Sequence, residues 1–170
     1  AQDRPDIQFA CKELAKGMSS PTEGHWQNLK RLGRYLVFRP RLVLNYDYQD
    51  CSTFLDSRVD TDHAGCIRTR KSTNGGALTL GKHCLKTWST TQAVTALSSG
   101  EAEYYGVVKG GSVLLGAISL CKDLGLEMKG RIHTDSSAAK GIANRRGLGK
   151  TKHIDTNYLW IQERLHSGDF

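Results

Sequence analysis

The chain has 170 residues, 38% hydrophobic and 24% charged, with 24 lysines and arginines against 17 aspartates and glutamates. This is globular composition, not collagen-like or disordered; no run approaches the roughly eighteen apolar residues of a membrane span, and "AQDRPDIQFA" lacks a signal-peptide pattern. A net charge of +7 favours a polyanionic partner, while five widely spaced cysteines without a C-x-x-C argue against a zinc site or disulfide framework and fit a reducing compartment.

Residues 5–18, "PDIQFACKELAKGM", place Ile7, Ala10, Cys11, Leu14 and Met18 on one helical face. A second helix follows, with Ser20 expected as N-cap, Pro21 at the first helical position and Glu23 completing a capping box. Trp26, Leu29, Leu32, Tyr35 and Leu36 form its expected buried stripe. Lys30, Arg31 and Arg34 lie on the other side, as a solvated face or as contacts for a polyanion, and Pro40 ends the helix.

Beyond Pro40, "LVLNYDY" alternates in strand fashion, and "STFLDSRVD" predicts a strand running into a turn at "HAGC". "GGALTLG" and "HCLKTWS" predict two more, joined in a hairpin at Gly81-Lys82. A long helix is expected from about Ser99 to Asp123, closed by Gly125. Its interior glycines, Gly110, Gly111 and Gly116, each cost about 1 kcal/mol relative to alanine, which points to close approach of the helix to a sheet. "GRIHTD" is a further short strand, followed by a helix at 136–144, the basic loop "RRGLGK" and a final helix in "HIDTNYLWIQERL". The order reads as an α/β domain with a mixed sheet.

The stretch "ALSSGEAEYYG" holds Glu101 and Glu103, which, two apart on a helix, do not share a face. Ser98-x-x-Glu101 is a capping box: Ser98 accepts from the amide of Glu101, whose side chain returns to the amide of Ser98. Glu103 has no such occupation, and is either a solvated glutamate favoured near a helix N-terminus or part of a site. Asp60 ends a strand pattern with Asp62 two residues on, and turn chemistry accounts for at least one of them. Asp135 ends the later strand, either as a helix N-cap or as part of a site. In a βββαβα order, Asp60, Glu103 and Asp135 can converge. Three carboxylates in one place repel strongly unless hard divalent cations compensate them, and the chemistry such a site performs is two-metal hydrolysis of a phosphodiester.

In that order, "VDTDHAGC…RKSTNGG", "KTWSTTQ…ALSSGEAEYYG", "HTDSSAAKGIANRRG" and "TKHIDTNYLWIQE" resemble the ribonuclease H region of copia-type retrotransposon Pol polyproteins. "RPDIQFACKELAKGMSSPTEGHWQNLKRLGRYL" resembles the end of the reverse transcriptase in those polyproteins, its thumb or connection. The resemblance implies a small helical segment, residues 1–46, ahead of a ribonuclease H-like domain, residues 47–170. That domain is expected to hold a mixed sheet of three antiparallel strands and one parallel strand, flanked by helices. Asp60, Glu103 and Asp135 are then the catalytic carboxylates and the ligands of two Mg²⁺ ions, with Mn²⁺ able to replace them. The same resemblance chooses Glu103 over Glu101 and Asp60 over Asp62. It also implies cleavage of the RNA strand of RNA–DNA hybrids during reverse transcription, with the reverse transcriptase portion of the polyprotein as partner, in a cytoplasmic virus-like particle or the nucleus and without a membrane. One departure concerns a fifth strand and a fourth carboxylate, in an "A-D-[IV]-x-T-K" type stretch, which the family places after the helix containing Tyr158 and Trp160. This sequence stops at Phe170, so that strand and ligand are expected to be missing. Asp155 is the nearby acidic residue, but an Asp in a first helical turn is ordinary.

Such an enzyme senses 2′-hydroxyls across a shallow minor groove and holds both backbones through their phosphates. The resemblance implies that Ser98, Ser99 and Ser136 lie near the hybrid. Arg68, Arg70 and Lys71 in "IRTRKST", with Arg145, Arg146, Lys150 and Lys152, are either phosphate contacts or solvated loop charges. Trp88 reads as core or sheet surface in preference to a stacking platform, and His153 as a surface residue in preference to an aid to product release. Two other classes stay open. One is a nucleic-acid-binding or structural module that keeps the fold without turnover; the other is a proofreading-type exonuclease, less suited because residues 60–62 read D-T-D and not D-x-E.

Overall fold

A computed structural model describes residues 3–170. Four strands form one sheet: β1 (Phe54–Asp62), β2 (Thr73–Leu80), β3 (His83–Thr91) and β4 (Lys129–His133). Their order across the sheet is β3-β2-β1-β4. β1–β2 and β2–β3 are antiparallel, and β1–β4 is parallel. Gly81, at φ +56°, makes the tight β2–β3 turn that a side chain would strain. The chain is therefore α/β with a mixed open sheet flanked by helices, consistent with a ribonuclease H-like fold.

Alternation along β1 puts Leu55, Ser57, Val59 and Thr61 on one buried face. Helix α3 (Ser99–Asp123) covers that face. A Cβ at Gly106 would stand 2.5 Å from Thr61 Oγ1, and one at Gly110 would stand 2.4 Å from Val59 Cγ1. The two glycines thus let α3 lie closer to the sheet than alanine would allow. Gly111 serves a different neighbour, Ile161 of α5 (Trp160–Ser167), and Gly116 faces open space. At the C-terminus Gly125 has φ +76°, its amide donates to the Lys122 carbonyl, and the Leu126 amide donates to the Cys121 carbonyl. This is a Schellman ending. By length and mean hydropathy (1.3 over its most apolar stretch) α3 is long and apolar enough to cross a bilayer, which the composition had not suggested. Its apolar residues Ala102, Tyr104, Val107, Val108 and Leu114 are instead the centre of the domain core. Helix α4 (Ser137–Asn144) packs beside α3 and buries Ala139, Ile142 and Ala143.

The N-terminal segment departs from expectation in several ways. Its first helix is a 3-10 turn, Pro5–Ile7, followed by the short α1 (Gln8–Ala15). Helix α2 (Glu23–Phe38) is capped by Thr22, not Ser20. The Thr22 hydroxyl accepts from the His25 amide, and His25 Nδ1 accepts from the Thr22 amide. Glu23 then falls in the first helical position, too early to close a box, and accepts from Gln27 instead. The expected buried stripe is largely exposed: Trp26 is 53% exposed, Leu29 and Tyr35 are also exposed, and Leu32 and Leu36 are half-buried. Helix α2 packs against α1, and its Tyr35 hydroxyl donates to Asp6 of the 3-10 turn at 2.8 Å, but the rest of its apolar face stays largely exposed. Helix α1 itself rests on the sheet, with Gln8 donating to the Thr87 carbonyl and Lys12 to the Thr73 hydroxyl.

"LVLNYDY" forms no strand. The segment passes the tip of the β2–β3 hairpin and is held by side chains: Tyr46 donates to the Cys84 carbonyl, and Gln49 donates to the Leu80 carbonyl and accepts from the Lys82 amide. The final helix is also shorter than expected, a 3-10 turn (Thr156–Tyr158) preceding α5.

Candidate metal centre

The site forms where β1 ends, α3 begins and the chain leaves β4. Asp60 and Asp62 face the same side of β1, but their surroundings differ. Asp62 accepts the backbone amide of Thr73, its cross-strand neighbour, and so closes the 63–72 loop. Asp60 accepts only the adjacent Thr61 amide, at 2.8 Å, and stays exposed.

The two glutamates separate just as clearly. Ser98 accepts from the Glu101 amide at 3.2 Å, as expected. The Glu101 carboxylate, however, returns to the Leu97 amide at 3.0 Å and not to that of Ser98. It is 2% exposed and also accepts from Tyr105 (2.9 Å) and His153 Nε2 (2.8 Å). Burial alone would push its pKa up; the bonds from His153, Leu97 and Tyr105 outweigh that and hold the carboxyl below its usual range, so it stays ionised. Glu103 accepts from the Thr61 amide through Oε1 at 3.2 Å, while its Oε2 is buried without a partner. Asp135 is not a helix cap: Ser136 takes that role, its hydroxyl accepting from the Ala139 amide at 3.1 Å.

One carboxylate oxygen from each of Asp60, Glu103 and Asp135 lies within 4.8 Å of the other two. Burial pushes the Glu103 carboxyl above its ordinary range; the charges of Asp60 and Asp135 add to this, and the Thr61 amide opposes it. Among the described residues no lysine, arginine or histidine forms an ion pair with any of the three. The donor set is all oxygen, anionic, and includes an orphaned buried atom. That chemistry suits a hard divalent cation.

The remaining expected residues fall around this cluster in varied roles. Ser98 and Ser136 cap α3 and α4 as acceptors, which leaves each O–H free to donate outward; Ser99 is exposed in the first turn of α3. Arg68 and Arg70 are exposed in the β1–β2 loop, whereas Lys71 is committed to the Ala93 carbonyl at 2.6 Å. Arg145 bonds the Thr151 hydroxyl, and Arg146, Lys150 and Lys152 are exposed. Trp88 is buried over Gly76, where a Cβ would meet the indole at 2.1 Å, so it is core and no platform. Asp155 stands outside the cluster and caps the 3-10 turn by accepting the Asn157 amide at 3.1 Å. Of the partners of Glu101, Tyr105 is marked in the sequence by lying four residues on along the same helix face, whereas His153, 52 residues away, has no local signal.

No family model matches the chain. Compared with curated proteins, it is 32% identical over 164 residues to the retrovirus-related Pol polyprotein from transposon TNT 1-94 of Nicotiana tabacum, covering 95% of this chain and 12% of that protein. It is 34% identical over 168 residues to the Pol polyprotein from transposon RE1 of Arabidopsis thaliana, covering 97% and 11%. A shorter likeness, 36% over 101 residues, is to the secreted RxLR effector protein 161 of Plasmopara viticola, covering 59% of this chain and 70% of that protein. The chain thus spans only about an eighth of the polyproteins it matches almost end to end. It belongs to the retrovirus-related Pol polyproteins of copia-type transposons, of which it corresponds to one segment.

Proposed function

We propose that this segment is a metal-dependent endonuclease of the ribonuclease H type, cutting the RNA strand of RNA–DNA hybrids during retrotransposon reverse transcription. In this reading residues 47–170 are the nuclease domain, and residues 1–46 lead from the reverse transcriptase portion of the polyprotein. The observation that carries it is the convergence of Asp60, Glu103 and Asp135, from three separate elements, with none of the three in an ion pair among the described residues.

Asp60, Glu103 and Asp135 would hold two Mg²⁺ ions, or Mn²⁺ in their place. When bound, such ions supply Lewis-acid activation of water and stabilisation of the leaving oxygen at the phosphodiester. The protein's own residues do the rest. The Thr61 amide fixes the Asp60 and Glu103 carboxylates relative to each other. The outward O–H groups of Ser98 and Ser136, with exposed Ser99, are placed to meet 2′-hydroxyls and phosphates of the hybrid. Arg68, Arg70, Arg146, Lys150 and Lys152 hold backbone charge, with Lys71 and Arg145 shaping their loops.

Purified protein given a labelled hybrid with Mg²⁺ or Mn²⁺ is expected to shorten the RNA strand and spare the DNA. An Asp135→Asn variant is expected to lose this. Intact RNA, or equal cleavage by the variant, would defeat the proposal. A second reading, a binding module without turnover, draws on one observation: Asp155 is spent on a local turn, which leaves three carboxylates in the cluster. Hybrid binding that ignores both Mg²⁺ and the three carboxylates would favour it.

A further inference from the structure

A helix cap does not require a buried charge. Glu101 nonetheless keeps its side chain buried, 3% exposed, in the first turn of α3, two residues before Glu103, and satisfies its carboxylate with the Leu97 amide, Tyr105 and His153. Burying an ionised carboxylate is costly unless several donors meet it. The donor it reaches farthest for, His153, ends the basic loop 145–153.

The other end of that loop is fixed from inside the protein. Gln162 of α5 is buried; its Oε1 accepts from the Gly147 amide at 2.9 Å, and its Nε2 donates to the Ile142 and Gly147 carbonyls. The Thr151 hydroxyl donates to the Leu148 carbonyl, and Ile154 is buried just beyond His153. The loop is pinned to α4 and α5 at one end and to α3 at the other. Lys150 and Lys152 stand between the pins and Arg146 directly before the first, all three exposed and, among the described residues, without an ion-pair partner.

We infer that the Glu101–His153 bond holds this loop against the α3 terminus that carries Glu103, so that its cations grip the backbone of the nucleic acid beside the carboxylate cluster. The inference rests on the hybrid-cleavage reading. Glu101 and His153 are positioning residues in it: neither touches the nucleic acid, and both act through Arg146, Lys150 and Lys152.

His153 is the residue to change, since its side chain is 44% exposed whereas that of Glu101 is 3% exposed. Three measurements are made on the wild type, His153→Ala and His153→Gln: amide hydrogen exchange over residues 145–153, binding of a fluorescent RNA–DNA hybrid in EDTA across a salt series, and steady-state cleavage. His153→Ala is expected to speed exchange in the loop, weaken hybrid binding about tenfold and flatten the salt dependence by roughly one phosphate contact. It should raise KM and leave kcat near the wild-type value, and His153→Gln, which keeps a donor, should recover most of the affinity. Unchanged exchange, or faster exchange with unaltered affinity and salt slope, would overturn the inference. A kcat loss without a KM change would do the same. Wild-type protein that binds no hybrid defeats the functional reading itself, and the inference with it; wild type that binds and a His153→Ala variant that binds equally well defeats only the inference.

Discussion

Replacing Glu103 with glutamine removes one of three clustered charges while keeping shape and the acceptor for the Thr61 amide. Two unit charges at the 4.8 Å that bounds every separation in the cluster repel by about 1 kcal/mol at the dielectric constant of water and by about 3.5 kcal/mol at an effective value near 20. Asp60 and Asp135 are exposed and Glu103 is half-buried, so the lower part of that range applies. Relief from two such pairs is worth roughly 2–3 kcal/mol. For a domain of this size that raises the melting midpoint by about 4–12 °C in EDTA. The sign with pH follows from the upward displacement of the Glu103 carboxyl. Its ionisation costs stability in the folded state, so the advantage of the variant is absent below about pH 4 and grows as pH rises through the folded value. Divalent cation reverses the ranking. At a hundred times its dissociation constant, a bound ion stabilises the wild type by about 2.7 kcal/mol, and the variant should gain far less. Thermal melts with EDTA, Mg²⁺ and Mn²⁺ at pH 4 and pH 8 read all of this. A variant less stable than wild type in EDTA at pH 8, or a wild type indifferent to both cations, would refute the reasoning.

The glycines of α3 give opposite expectations from one chemical change. Gly116→Ala, facing open space, should stabilise the protein by up to about 1 kcal/mol through helix propensity, whereas Gly110→Ala drives a methyl into Val59 and Ser57 and should destabilise by about 1–3 kcal/mol; urea titrations separate them. On the opposite face of the sheet, buried Asp56 accepts two bonds from Arg131 at 2.8 and 3.0 Å and one from His133 at 2.6 Å. Burial alone would raise its carboxyl, but these partners outweigh it and hold it low. Arg131→Leu should therefore cost about 1.5–3 kcal/mol at pH 7. The stabilisation exists above the unfolded carboxyl value near 4 and is lost as pH falls through the depressed folded value, so urea midpoints of the two proteins should converge in strong acid.

Local chemistry made much of this molecule legible. The span of α3, its Gly125 ending and the Gly81 turn all follow from capping and backbone rules acting over a few residues. The division of labour between Glu101 and Glu103 followed from the same rules, because a cap occupies a glutamate visibly. Asp60 and Asp62 could not be told apart that way: they share a face, and what occupies Asp62 is an amide on the next strand. The alternation in "LVLNYDY" misled because period two reports a chain able to pair and says nothing of whether a strand edge is free beside it. The stripe on α2 misled similarly, since periodicity marks an apolar face but not what covers it. Thr22 displaced Ser20 because His25, an uncommon box partner, was in the right place.

The parallel pairing of β1 with β4 has one more consequence, for the order in which the centre is completed. Asp60 and Glu103 are joined through a single amide between neighbouring elements, so that half needs only β1 and α3. Asp135 arrives only when β4, some 75 residues down the chain from its partner on β1, has docked. Closing so long a connection is entropically slow compared with a hairpin. Until that strand docks, the cluster is thus a pair and not a trio, and the ability to capture cations comes with this long-range closure.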